Sequence, residues 1–91
     1  MPNLLDIKKE KHSYKFKVAD RNYEVTLTGR VYIDGIEADT SIDSSSYICF
    51  RIEDKLVRVS DILFQCADWL RRTGDKEVYK NARFTKYDRY M

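Results

Sequence analysis

The residues able to do chemistry in this 91-residue chain are few and far apart. Histidine occurs once, as His12, among Lys8, Lys9, Lys11 and Lys15. A Ser-His-Asp or Cys-His arrangement would have His12 as its only histidine base. One histidine and two distant cysteines, Cys49 and Cys66, have poor spacing for a tetrahedral metal site. Cys66 falls on an apolar helical stripe and reads as inert core. Cys49 shares a strand face with Tyr47 and Arg51, where a thiolate would be reactive only if exposed. The three glycines read as punctuation and form no phosphate-cradling loop. Carboxylates gather at Asp34, Glu37, Asp39 and Asp43, in a spacing that matches no EF-hand loop. The expectation is a protein without catalytic residues, metal ligands or a cofactor.

Chemistry of binding is better represented. The net charge of +2 conceals a basic–acidic–basic order. Residues 1–30 carry seven Lys/Arg against four Asp/Glu, residues 31–70 carry three against eight, and residues 71–91 carry seven against three. Basic ends suit an anionic partner and the acidic middle a cationic one. For DNA or RNA, the phosphate-neutralising residues would be Arg30, Arg58, Lys76, Lys80, Arg83, Lys86 and Arg89, with Tyr87 and Tyr90 stacking on bases. For a host protein with a basic groove, Asp34, Glu37, Asp39 and Asp43 would imitate nucleic-acid phosphates, making the chain a small inhibitor.

The elements that must position these residues can be read from periodicity. Tyr14, Phe16 and Val18 alternate with lysines, and Tyr23, Val25 and Leu27 alternate with polar residues, as two half-buried strands joined by a turn at Asp20-Arg21-Asn22. Gly29 ends the second. Val31-Tyr32-Ile33 and Ile36 flank Asp34-Gly35, which suits a type I′ turn. Residues 34–46 read as an acidic loop, with serines at 44–46. Tyr47–Ile52 and Leu56–Val59 form the next hairpin about Glu53-Asp54-Lys55, with Ile48, Phe50 and Ile52 on one face. Ser60 then serves as an N-cap and Asp61 favours the helix dipole. Ile62, Leu63, Cys66, Ala67 and Leu70 recur at helical spacing, broadened by Trp69, and Arg71, Arg72 and Gly74 mark the end. Asp75 opens a shorter helix through Ala82.

The fold class is therefore α+β: an antiparallel β-meander of five or six short strands, then one long and one short helix on the sheet. One domain spans 1–91, with a basic N-terminal arm over about 1–12, the acidic loop over 34–46 and a basic, aromatic tail over 83–91. Ser13–Val18 is the expected exposed edge strand; unless its lysines protect it, it would pair with a second copy as a homodimer. No apolar run approaches a membrane span, and Met1–Asp6 lacks a signal-peptide pattern. A reducing cytoplasm with two free thiols is the expectation.

Over residues 22–70 the chain resembles a known family. The run Tyr23-Glu24-Val25-Thr26-Leu27-Thr28-Gly29-Arg30-Val31-Tyr32 is similar to the opening of NUMOD-type modules, which accompany phage HNH homing endonucleases and read roughly Tyr-x-Val-Ser-x-x-Gly-Arg-Val. The hairpin from Tyr47 and the helix from Ser60 look similar to the downstream part of those modules. The resemblance implies DNA association and a phage or mobile-element context. It does not imply cleavage: the HNH segment is missing, and the usual His-Arg pair is replaced by Arg58-Val59-Ser60-Asp61.

Overall fold

Period-two alternation of apolar residues from Ser13 to Ile33 builds a sheet with one face for a core and one for solvent. The computed structural model describes residues 2–73. Eight strands precede a helix: β1 Leu5–Lys9, β2 Ser13–Val18, β3 Arg21–Thr26, β4 Val31–Ile33, β5 Ile36–Glu37, β6 Ser41–Ile42, β7 Ile48–Ile52, β8 Lys55–Arg58 and α1 Val59–Thr73. All pairings are antiparallel, in a five-stranded sheet β1-β2-β3-β4-β5 and a three-stranded sheet β6-β7-β8. The α+β class and the meander connectivity agree with the sequence expectation.

Register explains the core. Phe16 pairs with Tyr23 and Tyr23 with Ile33, while Tyr14 pairs with Val25 and Val25 with Val31. Paired residues share a face, so these side chains form one apolar surface. The Phe16 and Tyr23 rings stack with centroids 5.3 Å apart. Phe50 and Ile52 from β7, Val59, Ile62 and Cys66 from α1, and Leu4 and Ile7 from the N-terminal segment close over it. The helix is held at its outer flank by Gln65, whose Nε2 donates to the Pro2 carbonyl at 3.3 Å. Asp61 lies in its first turn and Arg71 and Arg72 in its last, as the dipole favours.

Several expectations are corrected. The described residues form two sheets with eight strands in all, not one meander of five or six. Part of the basic arm is β1, whose apolar Ile7 is buried. Its pattern is concealed in the sequence because a bulge between Leu5 and Lys8, with Asp6 at φ +53°, breaks the alternation. β1 covers β2, so Ser13–Val18 is an interior strand and not an edge. The acidic loop contains β5 and β6, each only two residues long. The helix starts at Val59, placing Ser60 inside its first turn. Ala67 is exposed, outside the buried part of the helical stripe. The second helix, Gly74 and the basic tail lie outside the described residues.

Turn chemistry sets the register. Asp34-Gly35 connects β4 to β5 and Glu53-Asp54 connects β7 to β8; in both, the two connecting residues have positive φ, the type I′ signature. Thr26 pins the turn from β3 to β4: its amide donates to the Arg30 carbonyl, and its Oγ1 accepts from the Arg30 amide at 2.9 Å. Gly29 in that turn has φ +98°, and a Cβ there would lie 2.7 Å from Ile48 Cδ1. The methyl can rotate aside, but the backbone conformation cannot be relieved so easily. Gly29→Ala is therefore expected to destabilise the fold by about 1–2 kcal/mol, read from the urea midpoint. Adding Ile48→Val is expected to restore only the smaller part of the loss.

Candidate functional site

The face of the five-stranded sheet turned away from the core carries a polar row fixed by pairing. Lys8 lies opposite Lys15, Lys15 opposite Glu24, Glu24 opposite Tyr32, and Tyr32 opposite Glu37. Lys17 sits one alternation along β2, opposite Asn22. Sheet twist makes this face a shallow depression of about 390 Å³, lined by Lys8, Lys15, Lys17 and Tyr32 together with Asp6, Asn22 and Glu24. The three lysines are exposed, and Tyr32 is half-buried. Glu24 accepts a hydrogen bond from the buried Ser13 hydroxyl at 2.6 Å, which orients its carboxylate toward β2. Among the described residues, no ion pair or hydrogen bond engages the side chains of Lys8, Lys15 or Lys17. The lining sums to three cations against two carboxylates, Asp6 and Glu24, of which Glu24 is engaged by Ser13.

A second polar group lies on the outer side of the three-stranded sheet, and it is used up internally. Asp43 Oδ1 accepts the amides of Ser45 at 2.9 Å and Tyr47 at 3.0 Å, and Oδ2 accepts Arg58 Nε at 2.8 Å. The Arg58 guanidinium stacks 4.2 Å from the centre of the Tyr47 ring. The backbone hydrogen bond from Tyr47, with the one from Arg58, holds the Asp43 carboxyl below its ordinary range. The same contact pushes Arg58 up. Cys49 sits beneath, 2% exposed, its thiol donating to Asp43 Oδ2 at 3.7 Å. Burial and the neighbouring carboxylate push that thiol up, and burial pushes Cys66 to about 11. Both cysteines are free and buried, and neither is a thiolate at neutral pH.

Of the residues proposed for nucleic acid, the structure places Arg30 exposed on the turn between β3 and β4. Arg58 is bound to Asp43 and is not a free cation; the sequence conceals this because the partners are 15 residues apart. Lys76, Lys80, Arg83, Lys86, Tyr87, Arg89 and Tyr90 lie outside the described residues. Of the acidic set, Asp43 is committed as above. Asp34 accepts the Asn22 amide at 2.9 Å and faces Arg21 at 3.7 Å. Glu37 and Asp39 are exposed. The sequence-derived sets did not include Lys8, Lys15, Lys17 or Tyr32. Strict Lys alternation in Lys15-Phe16-Lys17 was the available signal, but joining Lys8 and Tyr32 to it requires the strand register.

Among the described residues there is no cluster of three metal-binding side chains and no helix long and apolar enough to cross a membrane. The chain matches no family model, no curated protein and no solved structure.

The Asp43 contacts make a pH prediction. A carboxyl held below its ordinary value of 3.8 adds stability that is complete above that value and is lost as pH falls through the lower folded value. The difference in denaturation midpoint between the wild type and Asp43→Asn should stay constant above about pH 5 and shrink as pH drops below about 4. At neutral pH, Asp43→Ala should also raise the rate at which Cys49 is alkylated, measured with Cys66 replaced by Ala.

Proposed function

We propose that the protein is a non-catalytic, nucleic-acid-associated binding module. The observation that carries this reading is the row of lysines, Lys8, Lys15 and Lys17, exposed on one sheet face and, among the described residues, engaged in no ion pair. Lysines so placed neutralise phosphates and release condensed counterions. Arg30, exposed on the turn between β3 and β4, adds a further cation, and the likeness of Tyr23–Tyr32 to NUMOD-type modules points the same way. Binding rather than catalysis fits the thiols, which are buried and protonated, and His12, which is exposed at the turn after β1.

The alternative, inhibition of a host protein through the acidic segment, has less to work with. Two of its four carboxylates, Asp34 and Asp43, are spent on backbone amides and arginines within the chain. Glu37 and Asp39 alone make a thin imitation of a phosphate row.

The test is fluorescence anisotropy with labelled DNA and RNA across a salt series. Binding should weaken steeply with salt. Replacing Lys8, Lys15 and Lys17 together by Ala should reduce the slope of log K against log salt by about 2, at roughly 0.7 per phosphate contact on a single strand. Absence of binding at low salt would overturn the proposal and leave the acidic segment as the leading surface.

A further inference from the structure

We infer that the outer face of the five-stranded sheet takes single-stranded nucleic acid in preference to duplex, with Tyr32 as the stacking platform and Lys8, Lys15 and Lys17 as the phosphate rail. This rests on the nucleic-acid reading above and specifies its ligand.

The geometry separates the two kinds of contact. Lys8 and Lys15 are directly paired across β1 and β2, and Lys17 comes two residues after Lys15, about 7 Å along the same strand face. Together they form a cationic strip on one side of the depression. Tyr32 stands on β4, two strands from Lys15, an offset of about 10 Å. A single strand running along the lysines can turn a base inward over the Tyr32 ring. Between the rail and the ring lie Asn22 and Glu24. Both carry hydrogen-bonding groups suited to an unpaired base edge, and Glu24, bonded to Ser13 through Oε2, has Oε1 to accept a base amino group. A duplex offers this face no base: its bases are stacked and paired, and a ring lying within a shallow depression cannot reach them.

The helix argues against groove reading. α1 carries the exposed Asp61 and the half-buried Asp68, and Asp68 binds both Arg71 and, at 2.9 Å, Arg72. The cations of its last turn are therefore paired on the helix itself. Burial pushes the Asp68 carboxyl up, but the hydrogen bonds from Arg72 and Arg71 outweigh this and hold it low. A helix with an exposed carboxylate and both its arginines internally bound is a poor occupant of a major groove.

The depression requires no particular sugar. DNA and RNA single strands share the phosphates and bases it addresses, and only the 2′-hydroxyl distinguishes them.

The experiment uses the full chain with a labelled 12-nucleotide strand as DNA and as RNA, alone and annealed to its complement, at one low salt concentration. The single strand should bind at least about tenfold tighter than the duplex. Tyr32→Leu should weaken single-strand binding about tenfold, in the range that stacking on one aromatic ring supports. Tyr32→Phe, which keeps the ring, should bind like the wild type and shows that the site still folds. An oligonucleotide bearing 5-iodouracil should photo-crosslink to Tyr32. Equal binding of duplex and single strand, or a Tyr32→Leu variant that binds unchanged while the triple lysine variant fails, would overturn this inference and leave the nucleic-acid reading standing. No binding of any strand would overturn both. The ratio of DNA to RNA affinity identifies which single strand is preferred.

Discussion

A meander sheet has two faces, and the described residues supply apolar cover for one. Everything else in the structure depends on that constraint. Phe16, Val18, Tyr23, Val25 and Val31 must leave water together, and the strand β7 with helix α1 supplies what covers them. Residues of opposite parity on the same strands are then committed to the other face, whatever their chemistry. Lys15 and Lys17 are outward because Phe16 and Val18 are inward. The surface proposed to bind nucleic acid is thus a by-product of core formation, held in register by the same hydrogen bonds.

The smaller sheet solves a different problem. β7 buries Phe50 and Ile52 on its inner side, while Cys49 on its outer side is also almost fully covered. No second layer of secondary structure lies there among the described residues; the cover is the loop that Asp43 organises. One carboxylate satisfies two amides of the Ser44–Tyr47 segment and fixes Arg58, whose guanidinium in turn lies over the Tyr47 ring. The charges that looked available for partners in the sequence serve here to keep a loop closed over a thiol. Asp43 and Arg58 carry opposite functions in the sequence reading, and the structure binds them to each other.

Much of the fold was legible in the sequence, and the failures have physical causes. The alternation of β2, β3 and β7 and the helical stripe from Ile62 to Leu70 were plain, because each continues over enough residues to show its period. Asp34-Gly35 was plain because positive φ at both positions selects such residues. β1 was hidden by its bulge, and β5 and β6 are too short to display any period. The lysine face was half legible: a strand of alternating Lys shows that its lysines share a face, but not what lies across from them. Tyr32 and Lys8 are joined to it only by cross-strand register, which no local pattern encodes.

Connectivity carries one more consequence. In both sheets each strand is bonded only to its neighbours in the sequence, with no crossover. The loops to be closed are therefore short, and each hairpin can form before the next is needed. Local pairing of this kind is associated with rapid folding for a β-rich chain. What cannot be local is the lid: Leu4 and Ile7 share one core with Ile62 and Cys66 from the far end of the described chain, and Gln65 reaches back to Pro2. The order implied is a sheet assembled in sequence, with its two ends brought together last over a surface already shaped to receive them.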